Sequence, residues 1–180
     1  MAQIKRKGFG QVEPNHLSAQ KTGQIYAQLP AMSVSGTTAT AIAQLEQGQF
    51  LKYNYANGRA GVDGDGEWLL VYCEEKLYDP AKQSHKDFVS KASDFTDGKI
   101  YPRLLKTNAG DIYTTNTFGA NTSDSAEVSG LALTVGEKLV VDSNGFLVKA
   151  GQSPTGMIWQ VVKVYTMPDM QPGVKVMRVK

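Results

Sequence analysis

The stretch that most restricts the fold is 136–151, "GEKLVVDSNGFLVKAG". A glycine opens it and an apolar run follows. Ser143-Asn144-Gly145 interrupts the run, and a second apolar run closes the stretch. An Asn-Gly pair favours chain reversal because both residues tolerate positive φ. The pattern reads as strand, turn, strand. Nearly the same grammar stands earlier, at 48–62, as "GQFLKYNYANGRAGV". Gly48 then answers to Gly136 and Asn57-Gly58 to Asn144-Gly145. Further along, Trp68 answers to Trp159. The spacings differ only in loops, where added length costs little. Each copy is a hairpin followed by a long apolar run, "EWLLVYCEE" (67–75) and "MIWQVVKVYTM" (157–167). Such a unit cannot cover its apolar face alone, so two copies are expected to close on each other. The expected fold is mainly β, a compact barrel or two-sheet sandwich. Its β domain, 41–180, comprises units 41–75 and 131–180 and an insertion, 76–130, with a small helix.

Alternation sharpens the first unit. Phe50, Lys52 and Asn54 fall on one strand face, and Leu51, Tyr53 and Tyr55 on the other. Trp68, Leu70 and Tyr72 likewise alternate with Leu69, Val71 and Cys73. A run that is apolar on both faces belongs inside a sandwich or barrel. In the insertion, Asp79-Pro80 suits a helix cap and first position, so 80–95 is expected to form a short helix. "KIYPRLLK" (99–106) and "IYTTNTF" (112–118) read as a further hairpin around "NAGD". Residues 119–130 are small and polar, and read as a loop. Before the first unit, "TTATAIAQLEQG" (37–48) suits one or two helical turns or a loose strand. "QIYAQLPAMSV" (24–34) suits an extended segment that Pro30 keeps out of a central strand. Residues 1–40 hold no sustained period and read as an extended N-terminal arm. Lys5, Arg6 and Lys7 form a basic cluster beside Phe9. A solvated tail is one reading of it, and an arm that seeks an acidic partner surface is the other.

Composition narrows the function. Hydrophobic residues make up 41% of the chain, enough for a core. The formal net charge is only +2, which argues against a dedicated nucleic-acid binder. The lone Cys73 cannot staple the fold, so burial must hold it, as in a reducing compartment. No apolar run follows the N-terminal basic residues, so no signal peptide is expected. Nor does any run approach the roughly 20 apolar residues of a membrane span.

Catalytic signatures fail on inspection. In 63–74, Asp63, Asp65, Glu67 and Glu74 fall at calcium-loop positions, but Trp68 stands where that loop needs glycine. An acidic β-turn is the better reading. His16 and His85 have no Cys or His nearby, and no metal site or cofactor is expected. Cys73 lies among apolar neighbours with no cation to activate it. Glu74-Glu75 and the Asp63/Asp65 pair are too common a feature to mark a glycosidase. "GRAGVDGDG" lacks the Lys-Ser/Thr of a phosphate loop. Tyr53, Tyr55, Tyr101 and Tyr113 suit sugar stacking or, more simply, core and interface packing.

The leading glycine, the "SNG" turn, "FLV" and the Val-rich closing strands resemble the lambda-type β-tulip family of tailed-bacteriophage head decoration proteins. The resemblance covers 131–180 best and 41–75 less well. It implies a non-enzymatic virion protein, assembled in the host cytoplasm. Such a cement protein sits on the outer capsid surface, often as a homotrimer, and clamps subunits of the major capsid protein. It also implies an N-terminal arm that docks on the shell, here through Lys5, Arg6, Lys7 and Phe9. It involves neither membrane nor nucleic acid. The alternative is a carbohydrate- or receptor-binding module of a head fibre or adhesin.

Overall fold

A computed structural model describes residues 29–72, 89–119, 133–166 and 172–180. They are mainly β, in antiparallel sheets. A hairpin of β1 (Met32–Ser35) and β2 (Thr38–Ala41) comes first, then β3 (Gln44–Glu46). The first unit follows as β4 (Phe50–Asn54), β5 (Arg59–Gly61) and β6 (Leu69–Val71). Next come β7 (Val89–Lys91), β8 (Leu104–Leu105) and β9 (Ile112–Thr115). The second unit comprises β10 (Lys138–Val141), β11 (Leu147–Lys149) and β12 (Ile158–Thr166), and β13 (Pro172–Arg178) ends the order.

The two units share one strand order. A four-stranded sheet runs β5-β4-β6-β8, and a five-stranded sheet runs β11-β10-β12-β13-β9. In each, a hairpin is followed by a third strand that pairs with the hairpin's first. The match extends to single bonds. The Gly48 amide donates to the Val71 carbonyl at 3.0 Å, and the Gly136 amide to the Val161 carbonyl at 2.8 Å. Val71 returns a bond to Gln49, as Val161 does to Glu137. Gly48 and Gly136 also share positive φ, 83° and 93°.

The ladder corrects one correspondence. Leu51 pairs with Leu69, and Leu139 with Trp159. Trp159 therefore stands where the first unit has Leu69, and Trp68 stands where the second has Ile158. The two tryptophans lie one residue out of register, which in a strand means opposite faces. Like faces of the units consequently do not meet. Phe50, Leu70 and half-buried Trp68 and Tyr72 join the core of the five-stranded sheet. On the reverse face, Leu51, Tyr53, Leu69 and Val71 pack in a second core with Leu45, Ile100 and Leu104. The four-stranded sheet is buried on both sides, as its two-faced apolar runs predicted.

The five-stranded sheet curls without closing into a barrel. Beyond β9 the chain reaches the opposite edge strand, where Phe118 bridges Leu147 and the Gly119 amide donates to the Leu147 carbonyl at 2.9 Å. Inside the curl, Trp159 meets Tyr113 edge-on at 5.0 Å between ring centroids and Phe50 at 5.9 Å.

Four local expectations meet different outcomes. Strands β8 and β9 do not pair with each other; β8 joins β6, and β9 joins β13. The stretch read as an insertion thus supplies strands to both sheets. The part of the expected 80–95 helix that is described forms β7 and a 3-10 turn at Ala92–Asp94, because Leu45 and its neighbours offer 89–91 a strand to pair with. Within 37–48 the strand alternative is the one seen. Finally, the described residues read as arm meet the body at their start, whereas 35–40 are exposed. Ala31 is fully buried, bridges Ala60, and donates to the Ile100 carbonyl at 2.7 Å.

Candidate functional site

The turns hold the units together unequally. The first turns over residues 55–58, longer than a tight two-residue reversal, with Gly58 at φ 60°. The Asn57 amide donates to Asn54 Oδ1 at 3.1 Å. In the second turn, Asp142 Oδ1 accepts from the Asn144 and Phe146 amides. This second turn is pressed against the first unit. The Phe50 amide donates to the Gly145 carbonyl at 2.7 Å, and Gln49 Nε2 donates to the Asn144 carbonyl at 2.9 Å. Gly145 is buried with φ 84°, whereas Gly58 is exposed with open space around it.

A cleft of about 400 Å³ lies where the units adjoin. Lys52 comes from β4, Glu67 and Trp68 from the loop before β6, and Val140 and Val141 from β10. Met157 precedes β12, Arg178 ends β13, and Lys180 follows it. In the ladder register, the lining draws on matching positions of both units: Lys52 with Val140, Gly66 with Gly156, Glu67 with Met157. Both lining glycines hold positive φ, 103° at Gly66 and 77° at Gly156.

Electrostatics in the cleft centre on Glu67. Its Oε1 lies 2.8 Å from Lys106 Nζ, and its Oε2 lies 3.5 Å from Arg178 Nη2. Arg178 is further fixed by donating to the Thr107 carbonyl, to Thr107 Oγ1 at 3.0 Å, and to the Lys180 carbonyl at 3.0 Å. Lys52 Nζ sits 4.4 Å from the centroid of the Trp68 ring. Among the described lining residues, Lys52, Arg178 and Lys180 are cationic, Glu67 is the one acidic side chain, and Trp68, Val140, Val141 and Met157 are apolar. No sequence motif announced this grouping, since its members are joined by strand pairing and not by spacing along the chain.

The residues singled out from sequence fall into three groups. Gly48, Gly136, Asn57, Gly58, Asn144 and Gly145 form the ladder starts and turns just described. Trp159 is core, and Trp68 lines the cleft. Lys5, Arg6, Lys7, Phe9, His16, Cys73, Glu74, Glu75 and His85 lie outside the described residues. Of the tyrosines, Tyr53 and Tyr113 are buried, Tyr101 donates to Asp97 Oδ2 at 2.8 Å, and Tyr55 is 65% exposed. Asp63 is paired with Arg59 and Glu67 with Lys106, so these carboxylates face cations of the chain itself. Among the described residues, no group of three or more His, Cys, Asp or Glu side chains is gathered for a metal, and no helix is long and apolar enough to cross a membrane.

Comparison with protein-family models, curated proteins and solved structures finds no match to this chain.

Proposed function

We propose that the chain is a virion structural protein, a decoration or cement protein of a tailed-phage head. It binds the outer capsid surface and bridges subunits of the major capsid protein, as a homotrimer of β-tulip-like bodies. The observation that carries this reading is the repeated unit: two hairpin-plus-strand modules of the same order, coupled through Gly145 and Phe50. A cement protein works by contact area and stiffness, not by turnover. Modules with fixed register, one sheet buried on both faces, and a turn locked against its neighbour give a body that transmits load across a seam. Interfaces of standard size bury about 1,600 Å². A docking arm carrying Lys5, Arg6, Lys7 and Phe9 would add to that area, at a cost in ordering entropy.

The test uses empty heads assembled from the capsid protein of the same genome. The full chain should attach at stoichiometric copy number and sediment as a trimer when free. A chain lacking residues 1–28 should keep the β body, since that begins by Ala31, but lose attachment. Failure of the full chain to attach would refute the proposal. One feature favours the alternative, a glycan-binding module: Tyr55, largely exposed beside Tyr53 at 5.2 Å between ring centroids. Hits on a glycan array that disappear with Tyr55→Ala would establish it instead.

A further inference from the structure

We infer that the cleft between the two units binds an acidic segment of a partner polypeptide, in which a carboxylate side chain lies beside an apolar one. The inference goes beyond the decoration reading and stands without it. Charge is the first argument. Lys52, Arg178 and Lys180 line the cleft, and Glu67 is the one acidic side chain among its described lining residues, already shared between Arg178 and Lys106. The surplus is positive, inside a concave site whose low-dielectric walls strengthen it. Lys52 rests on the Trp68 ring, a weaker partner than a carboxylate, so its ammonium remains available to an anion.

The floor supplies the second argument. Trp68, Val140, Val141 and Met157 add apolar surface to the same lining, with Lys52 over the Trp68 ring. A ligand that fills this cleft must therefore carry both an anionic and an apolar group within a few ångströms. Lys52 already covers one face of the Trp68 ring, and the ring packs against the core, so the cleft lacks the free aromatic platform that sugars and bases use. A polypeptide fits better. At Gly66 and Gly156, which both line the cleft, no described atom lies near where a Cβ would stand, so an extended chain can pass close to the main chain there. Arg178 is held in place before any ligand arrives, which reduces the ordering cost of binding.

The experiment titrates the full chain with an end-blocked Glu-Val-Glu-Leu peptide and its Gln-Val-Gln-Leu counterpart. Trp68 emission and calorimetry report binding, with fully buried Trp159 as a constant background. The acidic peptide should bind saturably and the Gln peptide should not. Lys52→Gln and Lys180→Gln should each weaken binding about two- to fivefold, the worth of a half-exposed ion pair. Glutarate and a single-stranded oligothymidylate at equal concentration should fail to displace the peptide. Absence of saturable binding would overturn the inference. So would equal binding of the Gln peptide, parent-like binding by both lysine variants with unchanged circular dichroism, or displacement by either competitor. The described lining residues and both lysine variants lie outside 1–28, so loss of shell attachment in the truncated chain and loss of peptide binding in the lysine variants report on separate proposals.

Discussion

The carbonyl of Gly145 accepts a hydrogen bond from the amide of Phe50 at 2.7 Å, and a Cβ on Gly145 would come within 2.1 Å of the Phe50 carbonyl oxygen. Two penalties therefore meet at Gly145, a left-handed backbone and a collision with main chain that cannot swing aside. Gly145→Ala is expected to destabilise the protein by more than about 3 kcal/mol. At Gly58 only the backbone penalty applies, and Gly58→Ala should cost about 1 kcal/mol. Urea unfolding of the two variants checks the difference. Equal losses would mean that the second turn is not pressed against the first unit.

The one-residue offset of the tryptophans gives a second comparison. Trp159 is fully buried among Phe50 and Tyr113, and Trp68 is only half-buried. Trp159→Ala should cost about 3–5 kcal/mol by opening a cavity that the curl cannot collapse. Trp68→Ala should cost about 1–2 kcal/mol, in proportion to the smaller area it hides. Equivalent costs, measured by denaturant titration, would contradict the ladder register.

Tyr113 is buried, and its hydroxyl has no hydrogen-bond partner among the described residues. Burial pushes its pKa well above the usual 10.0. The native state then holds the proton where the unfolded chain releases it. The associated stability is complete below about pH 10 and declines as pH rises beyond it. Tyr113→Phe should flatten this alkaline loss. At pH 7 it should be neutral or stabilising by up to about 1 kcal/mol, because it removes an unpaired polar group. A clear destabilisation at pH 7 would show that the hydroxyl has a partner.

Glu137 behaves in the opposite sense. Its Oε1 accepts from Lys149 Nζ and its Oε2 from the Thr134 amide at 2.7 Å. The Lys149 bond, then the Thr134 bond, holds its pKa below the ordinary 4.5. The stability it contributes is present above that ordinary value and is lost as pH falls through the lower folded value. Glu137→Gln should shallow the acid limb of a stability-against-pH curve and leave the alkaline limb unchanged. An unchanged acid limb would count against the pairing.

Glu67 couples stability to the cleft. Glu67→Gln removes the carboxylate that Lys106 and Arg178 share, at a cost of up to about 1 kcal/mol because the pair is part-exposed. The same change raises the positive surplus, so the acidic peptide should bind more tightly than to the parent chain. Weaker binding would place Glu67 among the groups that hold the ligand.

The strand grammar of 48–75 and 136–166 determined much of this protein by itself. Glycines with positive φ, alternating apolar residues and Asn-Gly turns are local devices, and each acts within a few residues of where it stands. They specified two hairpins, the two-faced burial of β6, and the correspondence of Gly48 with Gly136. The tertiary structure alone decided what depends on distant pairing. It set Trp159 against Leu139, so that the tryptophans differ by one register step. It sent β8 and β9 to different sheets, and it drew Lys52, Glu67, Arg178 and Lys180 around one cleft. Pairing energy between strands far apart in sequence depends on which edges are free when they meet, and no local pattern encodes that.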